Sequence, residues 1–247
     1  MIARSFRAGG RMTDGNGPCP YCGGKGRKII PRGDLDVNGR PVSSEISTPC
    51  ICTLNRYVSE RHERIAGVGY VDGEDCIRVC RELPFKDMLF YGSESLFLYV
   101  VKAFFIIHFP FNKRFDALTG ADIAEKYAMA QPNGVIPTVD LLTPLDLLVI
   151  MCVARVNNRA IAPGTQEVMA NRIRARRPTW LYAPDSAALL GSKEFSADES
   201  RGSASDLIEG WPSLNVDTAF SGLKGHGTRS RSSSESARRA QSMAADL

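Results

Sequence analysis

Residues 87–101 read DMLFYGSESLFLYVV: a short apolar run, one glycine, a polar step and a long apolar run. The segment from Asp87 to Tyr91 is too short for a helix and ends on a turn signal, which predicts a short buried strand. The apolar stretch after Ser95 continues to Phe111 and predicts a helix. A bilayer span needs about 20 mostly apolar residues. Lys102, His108 and Pro110 interrupt this one, so the helix is expected inside a protein core, with no membrane partner.

The same alternation continues outward from this unit. TGADIAEKYAMA, residues 119–130, opens on Thr119 as an N-cap with Asp122 three positions later, a helix start. LDLLVI (145–150) predicts a second buried strand, PGTQEVMANRIRARR (163–177) an amphipathic helix opening with Pro163, and TWLY (179–182) a third strand. Strands alternating with helices imply an α/β protein built on a parallel sheet. With 247 residues, 43% of them hydrophobic, the chain can bury one good core and carry a small appended module. Residues 1–17 are glycine-rich and aperiodic, and 218–247 form a Ser/Arg-rich tail; both compositions are expected to be disordered.

The balance of 31 basic against 27 acidic residues, +4, is too mild to specify a polyanionic partner by net charge. No charged start leads into an apolar signal-like segment, so the chain reads as cytoplasmic, with reduced thiols. Seven cysteines in that setting point to metal rather than disulfides.

GPCPYCGGKGRKII, residues 17–30, holds Cys19 and Cys22 two residues apart. As a tetrapeptide CPYC looks like a glutaredoxin-type redox pair, which needs a strand before it and a helix after it to lower the thiol pKa. Here Gly23, Gly24 and Gly26 oppose a helix, and no apolar strand precedes Cys19. The glycines suit a zinc knuckle, where the chain turns tightly and amides face thiolates. TPCICTL supplies Cys50 and Cys52 after a 27-residue excursion rich in Gly, Pro and Asp, completing a four-thiolate structural Zn site. The alternatives are four unligated cysteines in a loop, or a redox pair with an activated Cys19. Cys76 and Cys80 in CIRVC share one helical face and are expected to pack. His62, in SERHER, could join the metal site but is expected to be solvated.

A CxxCxGxG element, a later CxC, the basic helix LNRYVSERHERIAG and then an α/β domain together resemble the bacterial helicase loaders, the DnaC/DnaI/IstB-like group of AAA+ proteins. The resemblance implies a P-loop NTPase (AAA+)-like parallel three-layer sandwich with a small N-terminal zinc-binding module. It implies a module and basic helix over 18–66 and an AAA+-like domain over 67–217. In that family the strand equivalent to DMLFY runs into a phosphate-binding loop, and Gly92 matches its first glycine. The loop's second glycine, lysine and hydroxyl fall on Phe97, Leu98 and Tyr99, and the two acids of the magnesium motif fall on Met151 and Cys152. Asp146 precedes that apolar run and is given no catalytic role. The polar sensor residue falls near Pro184, and Arg201 is a candidate for the arginine that reaches a neighbouring subunit's nucleotide in that family.

The nucleotide site is therefore degenerate, and neither ATP nor magnesium is expected as a cofactor. The alternatives are a pseudo-ATPase and a decayed copy. Arg172, Arg174, Arg176 and Arg177 cluster at a helix end and are candidate nucleic-acid contacts, against a plain solvated terminus. The reading is a replication accessory protein acting as a binding adaptor, with the replicative helicase as partner by resemblance, single-stranded DNA as a further partner, and homo-oligomers as a family expectation. The alternatives are an active DNA-dependent ATPase, either a loader or an IstB-like transposition helper, and the CPYC redox protein.

Overall fold

The computed structural model describes residues 19, 21–35, 38, 41–111, 113–123, 125, 141–151, 161–184, 208 and 210–223. The expected disordered segment at 1–17, Cys152, Arg201 and the tail beyond 223 lie outside them. Two strands, β1 (Arg27–Leu35) and β2 (Pro41–Pro49), come first, followed by helices α1 (Ile51–Arg61), α2 (Glu63–Ala66) and α3 (Gly73–Glu82). The rest of the chain forms β3 (Met88–Tyr91), α4 (Glu94–His108), β4 (Phe115–Thr119), β5 (Leu147–Met151), α5 (Ile161–Arg174), β6 (Thr179–Ala183), β7 (Ser213–Asn215) and α6 (Val216–Ala219).

The last five strands form a parallel sheet in the order β4-β5-β6-β3-β7. The connection from β3 through α4 to β4 crosses the sheet one way, and that from β5 through α5 to β6 runs the other. Right-handed crossovers therefore place α4 and α5 on opposite faces. Burial agrees: Leu147, Val149, Met151, Trp180 and Tyr182 pack with α1, α3, α4 and α6, while Leu148, Ile150, Leu181 and Ala183 pack with Val168 and Met169 of α5. The side-chain alternation of a strand thus feeds two cores, giving a three-layer α/β sandwich.

The run after Ser95 is the buried helix expected. Over Glu94–Phe111 it is long and apolar enough to cross a membrane by length and composition, yet 56% of that window is buried inside the protein. It is apolar on all sides because the sheet, α1 and α3 surround it. Lys102 is 3% exposed within it, its Nζ donating to the carbonyls of Val68 (2.8 Å) and Gly69 (3.0 Å). Burial pulls the Lys102 pKa from 10.5 down to about 8, the Cys76 thiol opposing this weakly. Between those two values the unfolded chain holds a proton that the folded chain has released, so this group makes stability rise with pH from about 8 to 10.5. Urea midpoints of wild type and Lys102→Met, measured at pH 8 and pH 10, should show that the wild type gains relative to the variant at the higher pH. A constant difference would refute the assignment.

The excursion between the cysteine pairs forms a hairpin, with Arg27 opposite Pro49 and Leu35 opposite Pro41. Asn38–Gly39 is the turn signal that lies between its strands in the sequence. Leu54 and Val58 of α1 and Ile65 of α2 belong to the main core. Asn55 adds a paired bond, accepting from the Val71 amide (2.9 Å) and donating to its carbonyl (2.8 Å). Phe220 and Leu223 are buried in the same core. The Thr119 cap is present as a reciprocal box, Asp122 N donating to Thr119 Oγ1 (3.1 Å) and Thr119 N to the Asp122 carboxylate (2.7 Å).

Candidate functional site

The hairpin explains how four cysteines far apart in sequence converge. Its first pair, Arg27 with Pro49, sets the Cys22–Gly26 turn beside the start of α1, where the Cys50 amide donates to the Gly26 carbonyl (2.9 Å). Gly23, Gly24 and Gly26 all have positive φ, 56°, 84° and 70°, so the knuckle needs glycine for its backbone conformation. Gly26 also has a packing reason, since a Cβ there would lie 3.0 Å from Thr53 Oγ1, which itself donates to the Gly26 carbonyl (2.7 Å).

The sulfurs of Cys19 and Cys50 lie 3.7 Å apart, those of Cys22 and Cys52 3.6 Å apart, and all four ligand atoms fall within 4.8 Å of one another. Zinc–thiolate bonds of about 2.3 Å put tetrahedral sulfurs about 3.8 Å apart, so the cage fits a four-coordinate zinc ion. The spacing is too long for disulfides, whose sulfurs bond at about 2.05 Å. Burial raises the Cys22 thiol, but the Gly26 amide (3.3 Å) and the surrounding thiols outweigh it and bring Cys22 down to about 7. Burial pushes Cys50 up to about 12 and Cys52 in the same direction. These four cysteines can bind a metal ion. The redox reading loses its context: Cys19 and Cys22 sit in a turn followed by a strand, and the helix start belongs to Cys50 and Cys52. Tyr70 lies close enough to the cluster to feel its charge, and its buried hydroxyl has no partner among the described residues.

The second site is the carboxyl end of β3, beside the strand where the direction of winding reverses, the place where open α/β sheets bind ligands. Only Gly92 and Ser93 separate β3 from α4. Gly92 has φ +116° and donates its amide to the Pro184 carbonyl (3.2 Å), and its own carbonyl accepts from Tyr182 Oη (2.7 Å). The Ser93 amide, at the α4 N-terminus, donates to the Asp217 carboxylate (2.9 Å). A Cβ on Gly92 would lie 2.5 Å from that same carboxylate, so the acid is pressed against the turn. Phe97 stacks on Tyr182 at 4.5 Å behind it, and Leu98 and Tyr99 continue α4. Tyr99 is 3% exposed and its Oη donates to Asp75 (2.6 Å). The three residues that fall on the missing loop positions are helix residues, two of them in the core, and the anion-binding end of α4 already holds a carboxylate.

Met151 ends β5 and is 4% exposed in the core. Asp146 sits at the other end of that strand, accepting from the Arg114 amide (2.9 Å) and Arg177 (3.3 Å). Arg172 is a correction: it is 0% exposed, and its guanidinium donates to Thr179 Oγ1 and to the carbonyls of Leu142, Thr143, Leu145 and Pro178. It cannot reach a nucleic acid, because carbonyls from two segments consume its donors. Arg174 and Arg176 are exposed, and Arg177 is partly so. His62 is neither solvated nor near the thiols; it is 7% exposed, with Nδ1 3.6 Å from Asp116 and its ring edge against Phe105. Cys76 and Cys80 pack, as expected.

No family model matches the chain, and no curated protein matches it. Among solved structures it is similar to a DNA replication initiation factor at 14% identity and TM-score 0.45, over 57% of this chain and 44% of the other. It is similar to AMPPCP-bound DnaA from Aquifex aeolicus at 14% and TM-score 0.43, over 57% and 44%. A replication initiator DnaA bound to AMPPCP and single-stranded DNA aligns at 12% and TM-score 0.41, over 66% and 45%. The chain thus spans less than half the length of these structures. At that identity and coverage the likeness assigns neither a family nor a role to this chain, whose α/β class rests on its own parallel sheet.

Proposed function

We propose that the chain is a zinc-bearing replication accessory protein of AAA+-like fold that acts by binding, without ATP turnover. The observation carrying this reading is the Asp217 carboxylate on the Ser93 amide. A triphosphate would have to displace it, and the chain has neither loop lysine nor magnesium acids to neutralise the phosphate charge there. In this reading Cys19, Cys22, Cys50 and Cys52 hold the zinc, and the metal keeps the knuckle and hairpin rigid as a presentation surface, which lowers the ordering cost of docking a protein. The partner is the replicative helicase. Single-stranded DNA is the second partner, with Arg174, Arg176 and Arg177 left as candidate contacts, and the protein works in the cytoplasm.

Calorimetric titration with ATP and magnesium should give no binding at submillimolar concentration. Micromolar binding competed by ADP would overturn the reading and favour the active ATPase. The tagged full chain should capture a purified hexameric replicative helicase, and Cys19→Ser with Cys50→Ser should lose it. Undiminished capture by that variant would move the docking surface off the knuckle.

A further inference from the structure

The end of the sheet opposite Gly92 carries exposed aromatic rings set among cations, and we propose that this surface binds single-stranded DNA by base stacking. The inference rests on the replication reading above for the identity of the nucleic acid, and goes beyond it in locating the contact. All five strands of the sheet begin at this end, so the segments that precede them gather there: Phe85 and Lys86 before β3, Lys113 and Arg114 before β4. The antiparallel return of α4 brings His108 to Phe111 to the same place.

Phe111 is 67% exposed, Tyr57 41% and Phe85 38%, all high for rings of that size. They are linked rather than scattered. The His108 ring lies 4.7 Å from Phe85 and 6.5 Å from Phe111, and Tyr57 lies 6.0 Å from Phe109. Cations flank the strip on both sides. Arg61 and Lys113 line a shallow dimple with Phe109, and the Arg56 guanidinium stands 5.6 Å from the Tyr57 centroid.

The nearby carboxylates do not cancel this charge. Asp146 faces Lys113 (3.9 Å) and Arg177 (3.3 Å), Asp116 faces His62, and Glu60 pairs with Arg56 (3.8 Å). Arg61, Lys86 and Arg114 are further exposed cations at this end, Arg114 also donating to the Pro144 carbonyl (2.7 Å). Protein interfaces are depleted of lysine at their cores. Aromatic faces among mobile cations are instead the combination that holds unpaired bases and their phosphates, and a duplex keeps its base faces covered.

The test is fluorescence anisotropy of a labelled 30-nucleotide oligo(dT), with a 30-base-pair duplex as comparison and the full zinc-loaded chain throughout. Wild type should bind the single strand at least tenfold more tightly than the duplex. Phe111→Ala should weaken binding by roughly fivefold or more, and Phe85→Ala with Phe111→Ala by more than tenfold. Lys86→Glu with Lys113→Glu should weaken it and flatten its dependence on salt. Phe111 is exposed enough that its variant should melt like wild type, which separates lost binding from lost folding. If wild type binds oligo(dT) and all three variants match it, this surface is wrong while the DNA reading stands. If wild type does not bind, both fall, and the adaptor reading is judged on helicase capture alone. Self-association that Phe111→Ala abolishes, with DNA binding intact, would reassign the strip to contact with a second copy of the chain.

Discussion

Purified protein should carry about one equivalent of zinc, and chelating it should expose residues 19–50 to rapid hydrogen exchange while the strands of the parallel sheet keep their protection. The expected effect is large because metal binding in small thiolate modules is folding energy, roughly 10–16 kcal/mol at neutral pH. The hairpin cannot stand alone, since an isolated two-stranded ribbon is marginal in water. Its base is tied down by the Cys50 amide and the Thr53 hydroxyl, both on the Gly26 carbonyl. Without metal those two bonds must hold a turn whose three glycines gain much freedom on opening. The effect should stop at Cys50, because Leu54 and Val58 anchor α1 in the main core. Cys19→Ser with Cys50→Ser should reproduce the chelated exchange pattern. Equal zinc content in that variant would remove the site, and a sheet that melts with the knuckle would show that the two are one cooperative unit.

Arg172→Ala should destabilise the α/β body by roughly 3–5 kcal/mol, because it strands several buried carbonyls at once. The guanidinium binds the segment before β5, at Leu142, Thr143 and Leu145, to the segment before β6, at Pro178 and Thr179. Burial lowers its pKa to about 10, with Asp87 acting against that, so it remains charged at neutral pH. Lysine at this position cannot reach both segments with a planar fork and should rescue little. Thermal melting should show a loss of about 10 °C or more for Arg172→Ala, whereas Arg174→Ala and Arg176→Ala should change stability by less than about 0.5 kcal/mol. A wild-type melting temperature for Arg172→Ala would return that residue to the surface role expected from its neighbours.

The contrast between Arg172 and Arg174 locates the limit of sequence reading. Local pattern alone determined the short strand at Met88–Tyr91, the buried helix after it, the Thr119 capping box and the strands at Leu147 and Thr179, because each depends on the spacing of apolar residues within a few positions. The four thiols were legible too, since cysteine spacing and the glycines between them restrict the chain regardless of what surrounds it. Tertiary structure decided what a charged or polar side chain meets. Arg172 is buried and Arg174 exposed on one helix, because only the first faces carbonyls delivered from about thirty residues upstream. His62 is buried because β4 brings Asp116 to it. Asp217 closes the α4 N-terminus only because β7 lies beside β3. Burial of a polar group depends on partners that satisfy it, and those partners come from chain segments whose placement no local period records.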